Sequence, residues 1–221
     1  MRILAVQHDD EAPLGTIADA LEARRTHVTV VRRDALPAEV DGYEALVVLG
    51  AVESVLDQRD AHGWYTAEQA LLRRADAAGV PILGVCFGAQ ALAHTFGGAV
   101  HRLARPEVGW TSVRTHRPDV VPAGPWLNFH TDAVVPPPGA TVLAATDACV
   151  QAFAYGPHLA VQFHPEVVAE PVARWCSWLR SSVEAAGGDV DAIAAESRRV
   201  EADARARCAG LIDAFLDGKH A

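Results

Sequence analysis

Cysteine is scarce in this chain and follows no familiar spacing. The four cysteines, Cys86, Cys149, Cys176 and Cys208, are spread widely, and none forms a C-x-x-C pair. This spacing is not that of a disulfide framework, so it favours a cytoplasmic, reducing location. A chain of 221 residues buries roughly 70% of its unfolded surface and needs no disulfide or metal to hold its core.

Positive charge and cofactor motifs are also lacking. The formal net charge is −9 at pH 7, which argues against nucleic acid and an anionic membrane surface as partners. The sequence contains no G-x-x-x-x-G-K-[ST] phosphate loop, no G-x-G-x-x-G and no H-E-x-x-H. We therefore expect no cofactor, neither ATP nor NAD, and no metal.

One stretch of 22 residues is free of charge. Gly79 to Val100 contains no Asp, Glu, Lys or Arg, and its length would allow a membrane span. However, Pro81, Gln90 and His94 interrupt it, and its pattern changes at Cys86 from strand-like to helical. We interpret it as a buried strand, a sharp turn and a helix.

Short apolar runs alternate with helical patterns in the first hundred residues. Strands are predicted at 2–7, 27–31, 45–49 and 81–85, and helices at 16–25, 67–78 and 89–96. This alternation predicts an α/β fold with a mostly parallel central sheet covered by helices on both faces, a flavodoxin-like open sheet.

The pattern changes after residue 98. Strand-like runs at 108–113, 141–144, 152–155 and 159–163 predict added antiparallel strands, the last returning to the parallel core. Helices are predicted at 171–185 and 189–216. We expect one domain over residues 1–186 and a C-terminal helical extension, 187–221, packed on the same domain.

A cysteine stands where a strand runs directly into a helix. Gly84 and Gly88 flank Cys86 at minus two and plus two, as a tight turn without room for side chains requires. The thiol would lie at the carboxyl end of a central strand, where open α/β sheets bind ligands. The N-terminus of the following helix favours the thiolate. The pattern indicates a nucleophile rather than a small core residue.

A second polar segment ends another predicted strand at Gln162-Phe163-His164-Pro165-Glu166. A nucleophilic cysteine needs a base, which His164 can supply. A carboxylate that orients the imidazole helps, and Glu166 is suitably placed. Without Cys86, this segment would be read as an ordinary solvated strand end.

These two segments, with Glu107-Val108-Gly109-Trp110 and His130-Thr131-Asp132, resemble the class I (triad) glutamine amidotransferases. The similarity is greatest to free-standing domains like the amidotransferase part of GMP synthetase, and it covers residues 2 to about 180. It implies hydrolysis of glutamine to glutamate and ammonia. Cys86 would be the nucleophile, His164 the general acid and base, and Glu166 the orienting group.

The resemblance also implies a substrate site. It places the Gln90 side chain beside the substrate amide. It places a loop containing His130, Thr131 and Asp132 at the amino-acid end of glutamine, where Asp132 pairs with the ammonium or serves only as a turn residue. The oxyanion donors would be the N–H groups of Ala51 and Phe87.

The chain departs from the family after the third strand. The family usually has two adjacent glycines and a proline there, whereas this chain has Gly50-Ala51-Val52. A positive φ at Ala51 would be strained and would predict a slow glutaminase whose turn needs ordering. A negative φ would leave the oxyanion hole already formed.

Three functions stay open at this point. The leading one is a glutaminase that supplies ammonia to a separate synthase subunit. The second is a γ-glutamyl hydrolase or peptidase with the same triad, for which a groove beyond the amide is expected. The third is a catalytically silent regulatory domain.

Overall fold

The computed structural model describes residues 1–57, 63–178 and 180–221. In these residues the strands are β1 (Arg2–Gln7), β2 (His27–Arg32), β3 (Ala45–Val48), β4 (Ile82–Val85), β5 (Ala99–Thr115), β6 (Gly124–Val135), β7 (Thr141–Ala145), β8 (Val150–Tyr155) and β9 (His158–Val161). The helices are α1 (Thr16–Ala23), α2 (Trp64–Ala77), α3 (Phe87–Thr95), α4 (Ala169–Trp178), α5 (Arg180–Ala185) and α6 (Val190–Leu216), with a short 3-10 helix at Val55–Asp57.

The strands form one mixed sheet in the order β2-β1-β3-β4-β9-β8-β7-β5-β6. The first five strands in this order pair in parallel. The remaining strands pair antiparallel. The prediction of a parallel core extended by antiparallel strands is confirmed.

Both faces of the parallel half are buried because successive side chains of a strand point to opposite faces. In β1, Ile3 and Ala5 join a cluster that includes residues of α1 and α6. Leu4 and Val6 join a second cluster that includes residues of α2 and α3. The near-continuous apolar runs of the parallel strands thus reflect burial on two sides.

The antiparallel part differs from the sequence-based expectation. β5 extends from Ala99 to Thr115 rather than over 108–113, and it pairs along much of its length with β6, for which no strand was predicted. The expected loop at His130, Thr131 and Asp132 lies inside β6. Pairing with β5 satisfies the backbone N–H and C=O groups of this segment. Its polar side chains did not indicate a strand, because they interrupt the apolar pattern by which a strand is predicted.

The C-terminal helices match the predicted positions closely. The helix expected at 171–185 appears as α4 and α5, and residue 179 between them lies outside the described residues. α6 begins after Asp189, whose side chain accepts hydrogen bonds from the N–H groups of Asp191 and Ala192 at 2.9 and 3.0 Å. This N-cap satisfies two of the free donors of the first turn.

The uncharged segment at 79–100 forms β4, a turn and α3, as predicted. Among the helices that the structure describes, none is long and apolar enough to cross a membrane.

Candidate active site

Cys86 sits on a strained elbow between β4 and α3. Its backbone has φ 51° and ψ −104°, a conformation that costs a non-glycine residue about 1–2 kcal/mol. A Cβ on Gly84 would lie 2.6 Å from the Gly88 carbonyl oxygen, and one on Gly88 would lie 2.1 Å from the Val48 carbonyl oxygen. The steric reason predicted for both glycines is therefore confirmed.

His164 and Glu166 form a buried pair just after β9. The His164 Nδ1–H donates to Glu166 Oε1 at 2.7 Å, and both side chains are almost fully buried. Cys86 lies beside this imidazole: a Cβ on Gly50 would lie 3.2 Å from His164 Cε1 and 3.7 Å from Cys86 Cβ, and both residues line the same cavity. Burial disfavours a charged imidazole, but Glu166 and Cys86 outweigh it and raise the pKa of His164 well above its usual range.

The N-terminus of α1 holds the backbone of this pair. The Thr16 N–H donates to the Glu166 carbonyl at 2.9 Å, and its hydroxyl donates to the Pro165 carbonyl at 2.8 Å. Gly15, with φ 49°, permits this approach because a Cβ there would lie 2.0 Å from the Glu166 oxygen. Sequence reasoning assigned no role to Gly15 or Thr16, since they lie about 150 residues from the pair they support.

A cavity of about 680 Å³ opens at the carboxyl ends of the parallel strands. It is of the size that proteins use for small molecules. Glu166 lies behind His164 and does not line it. The predicted site residues that line it are Gly50, Ala51, Cys86, Phe87, Gln90, His130, Thr131, Asp132 and His164.

The turn after β3 is not strained. Among the described residues, only Arg25 and Cys86 are non-glycine residues with a positive φ, so Ala51 has a conformation that any L-residue adopts. Of the two alternatives for Ala51, the structure has the unstrained one. The Gly50 carbonyl accepts a hydrogen bond from His8 Nδ1 at 3.1 Å, and the Val52 N–H donates to Asp9 at 3.0 Å.

Two glutamines lie beside the thiol. The Gln162 side-chain amide donates to Cys86 Sγ at 3.6 Å, and the Gln90 amide donates to the Gln162 oxygen at 3.4 Å. Gln90 thus lines the cavity close to the thiol. Gln162 is an addition that its position two residues before His164 could have suggested, because strand residues two apart share a face.

Asp132 is held by groups that the sequence did not reveal. Arg102 Nε lies 2.7 Å from Asp132 Oδ1, and the Ser54 hydroxyl donates a short hydrogen bond to Oδ2. Arg102 faces Asp132 because the two residues are partners in the β5–β6 register. Without a predicted β6, this pairing had no signal in the sequence.

His130 lies in a hydrogen-bond network. Its Nδ1–H donates to the Asp132 carbonyl at 2.8 Å, and its Nε2 lies 3.3 Å from Glu107. The Cys149 thiol donates to the same carboxylate at 3.2 Å. Burial alone would raise the pKa of Glu107, but its contacts with His130, Thr146 and Cys149 lower it. His130 thus orients the segment around Asp132.

Glu107, His130 and Cys149 also have the donor types of a metal site, with ligand atoms within 4.8 Å of one another. Burial, followed by Glu107, raises the pKa of Cys149 to about 12. The Cys149 thiol and the Gln151 amide both donate to Glu107, and His130 Nε2 lies 3.3 Å from the same carboxylate.

Comparison with known proteins agrees with this geometry. Residues 14–175 match the family model of class-I glutamine amidotransferases. The chain is 39% identical over 97 residues to a glutamine-hydrolysing GMP synthase subunit of Saccharolobus solfataricus, covering 40% of this chain and 52% of that protein. It is 34% identical over 147 residues to the protein of the same name from Thermoplasma acidophilum, covering 62% of this chain and 70% of that protein. The chain thus spans about half the length of the first relative.

A solved structure matches almost the whole chain. The crystal structure of a glutamine amidotransferase from Methylobacillus flagellatus superposes with a TM-score of 0.90 at 24% identity, covering 98% of this chain and 94% of the other. This likeness confirms the predicted fold, including the antiparallel strands and the C-terminal helices.

Proposed function

We propose that this chain, which belongs to the class-I glutamine amidotransferase family, hydrolyses the side-chain amide of glutamine through a cysteinyl thioester. The products are glutamate and ammonia. The observation that carries the proposal is that Cys86, on its strained elbow, lines one cavity with His164, whose imidazole is hydrogen-bonded to Glu166. Nucleophile, base and orienting group are the parts that acyl transfer requires.

The first step forms the thioester. The Cys86 thiolate attacks the amide carbon of glutamine and gives a tetrahedral intermediate whose oxygen carries the negative charge. The backbone N–H groups of Ala51 and Phe87 stabilise this oxyanion. His164 then donates its proton to the amide nitrogen, the carbon–nitrogen bond breaks, and ammonia leaves.

The second step regenerates the enzyme. His164, now neutral, takes a proton from a water molecule, and the resulting hydroxide attacks the thioester carbon. The carbon–sulfur bond breaks, glutamate is released and the Cys86 thiolate is restored. Glu166 keeps the His164 ring in one tautomer and stabilises its charged form in both steps.

Substrate binding falls to the other residues of the cavity. Gln90 is placed to contact the amide, and Asp132 to accept a hydrogen bond from the substrate ammonium, with His130 and Thr131 shaping this end of the site. Arg102, half exposed and 2.7 Å from Asp132, is placed to meet the substrate carboxylate. Both charged groups at the amino-acid end of glutamine would thus be held.

A release assay tests the reaction. We expect purified protein to release glutamate from glutamine, and Cys86→Ala to abolish this release while the circular dichroism spectrum stays unchanged. His164→Ala should be nearly as damaging, and the two losses should not add, because thiolate and imidazole act as a unit. Cys176→Ala, at a buried cysteine outside the cavity, is the matched control and should keep its activity.

A substrate comparison addresses the alternatives. Release from γ-glutamyl peptides in preference to glutamine would favour a γ-glutamyl hydrolase. No release from either substrate, alone or with neighbouring-gene products, would favour a silent regulatory domain.

We propose that the ammonia passes to a separate synthase subunit. The relatives that are named as subunits of a GMP synthase support this assignment. Faster glutamate release when a co-purified or co-expressed synthase is added would support it, whereas a rate independent of every added protein would indicate a stand-alone hydrolase.

A further inference from the structure

A buried histidine and glutamate lie under the turn after β3 and take part in none of the steps above. His8 follows β1, Glu68 lies on α2, and both side chains are fully buried. His8 Nε2 is 2.6 Å from Glu68 Oε2. His8 Nδ1 is 3.1 Å from the Gly50 carbonyl oxygen. Burying a titratable side chain is costly unless it is hydrogen-bonded. The pairing of His8 with Glu68 reduces this cost, and the bond to Gly50 suggests what the pair is for.

The hydrogen bonds of His8 have a fixed direction. A backbone carbonyl can only accept, so Nδ1 carries a proton and donates it to Gly50. Glu68 occupies the other ring nitrogen and thereby fixes the rotation of the ring. The second carboxylate oxygen of Glu68 has no hydrogen-bond partner among the described residues. Within those residues, the Glu68 carboxylate therefore makes its hydrogen bond to His8.

The bond to Gly50 determines where the next N–H points. A trans peptide unit is planar, and its C=O and N–H point in opposite directions. His8 lies beneath the turn and does not line the cavity, whereas Gly50 and Ala51 do. With the Gly50 carbonyl held on His8, the Ala51 N–H is directed away from His8, to the cavity side.

His8 also contacts the second half of the oxyanion hole. Its ring packs edge-on against Phe87, with centroids 5.0 Å apart, and against Trp64 at 5.4 Å. Phe87 supplies the other backbone N–H of the proposed hole. One side chain therefore contacts Phe87 and the carbonyl of the Gly50–Ala51 peptide, whose N–H belongs to Ala51.

We propose that His8, held by Glu68, is a positioning residue that fixes the Gly50–Ala51 peptide with its N–H in the oxyanion hole. The proposal rests on the glutaminase function proposed above. It also explains how a turn with Ala51 in place of glycine keeps a formed hole: the histidine holds the peptide, so the turn does not need glycine's conformational freedom.

The test compares variants with and without the donor. In His8→Leu the Gly50 carbonyl loses its partner, and kcat should fall by about a hundredfold, the usual loss for one oxyanion donor. KM should stay within about twofold, because the interaction is made only in the transition state. His8→Asn retains an N–H donor near the Nδ1 position and should restore much of kcat.

Glu68 provides a second, independent comparison. Glu68→Gln can donate its amide N–H to Nε2 while Nδ1 still donates to Gly50, so we expect kcat close to wild type. Glu68→Leu removes the partner of Nε2 and should lower kcat in the same direction as His8→Leu.

His158 offers a matched control elsewhere in the sheet. It is also a fully buried histidine, bonded to Asp76 at 3.1 Å and to the Ile82 N–H, and it does not line the cavity. His158→Leu should lose stability without the selective loss of kcat. Alkylation of Cys86 by iodoacetamide needs the thiolate but no oxyanion hole, so His8→Leu should keep the wild-type rate and pH profile of alkylation.

The outcomes separate this proposal from the function on which it rests. If wild type hydrolyses glutamine and a folded His8→Leu variant has the wild-type kcat, the positioning role is wrong. A loss of kcat accompanied by an equal loss of alkylation would also overturn it. If wild type hydrolyses no glutamine, the proposed function fails, and crystal structures still decide the positioning: a rotated Gly50–Ala51 peptide in His8→Leu supports it, and an unchanged peptide contradicts it.

Discussion

At the scale of single residues, the four cysteines differ in how readily they can become nucleophiles. Burial raises the pKa of Cys149 and of Cys208 to about 12 and that of Cys176 above its usual range. Cys86 faces the cavity beside an imidazole instead. We predict that limiting iodoacetamide at about pH 8 modifies Cys86 first, as measured by peptide mass spectrometry, because the thiolate is the reactive form. First modification at any other cysteine would contradict the assignment.

The raised pKa of His164 predicts a response to Glu166→Gln. Burial opposes the charge, and the Glu166 carboxylate is the largest of the groups that favour it, so its neutralisation should lower the pKa of His164. The alkaline limb of kcat/KM should then move to lower pH, because His164 must be protonated to release ammonia. NMR titration of the His164 ring measures the shift directly, and an unchanged titration would show that Glu166 does not set it.

The same shift makes the stability of the fold depend on pH. The folded pKa of His164 lies above the unfolded value of about 6.5, so protonation stabilises the native state. This contribution is complete below the unfolded pKa and is lost as pH rises through the raised folded pKa. Urea unfolding measured from about pH 6.5 upward should show the free energy of unfolding of wild type falling as His164 loses its proton. In Glu166→Gln the same fall should occur at lower pH.

The unstrained conformation of Ala51 predicts that Ala51→Gly does not raise basal glutamine hydrolysis, whereas a strained turn would predict a rise. Because its φ is not positive and the Gly50 carbonyl is already bonded to His8, glycine at this position gains nothing and adds backbone freedom. We expect Ala51→Gly to leave basal glutamine hydrolysis unchanged or lower. A rise in kcat with unchanged stability would favour the strained-turn hypothesis instead.

At the scale of elements, the parallel strands could be predicted because burial on both faces leaves an unbroken apolar run. β6 could not, since Asn128, His130 and Asp132 are buried polar residues, so the inward face of this strand does not show as apolar in the sequence. Cys86 and His164 could be proposed as site residues because each is marked by its own neighbours in the sequence. Arg102, Ser54 and His8 could not, since they reach the cavity region only through contacts between segments that are distant in sequence.

The junction between α1 and the His164 segment can be tested with one glycine. Gly15→Ala places a Cβ where the Glu166 carbonyl lies, 2.0 Å away, so the backbone of the triad segment must move. Gly156 is the matched control, because its φ of 53° is close to the 49° of Gly15 and no described atom lies within 4 Å of its Cβ position.

Both substitutions incur the cost of a positive φ, about 1–2 kcal/mol, but only Gly15→Ala should also reduce glutamine hydrolysis. Urea unfolding and the release assay measure the two effects separately. Equal activities of the two variants would mean that the contact between α1 and the triad segment is not required for catalysis.

At the scale of the whole molecule, α6 belongs to the same core as the sheet. Cys208, Leu211, Ile212 and Phe215 are buried in the cluster that includes residues of β1, β3, β4 and β9. Ion pairs reinforce the contact, with Arg24 at the end of α1 bonded to Asp213 of α6 at 2.8 Å. Exposed pairs of this kind contribute little, so the apolar contact is what stabilises the packing.

This packing bears on the proposed division into a domain over 1–186 and an extension over 187–221. If the extension is packed as an integral layer, a core residue on α6 should matter as much as one on a central strand. Leu211 and Leu83 are both fully buried in the same cluster. We expect Leu211→Ala and Leu83→Ala each to lower the free energy of unfolding by about 2–5 kcal/mol, in a single transition seen equally by fluorescence and circular dichroism. Asp203→Ala, at an exposed position of α6, should change little. An early, separate transition in Leu211→Ala alone would show that residues 187–221 unfold as an independent appendage.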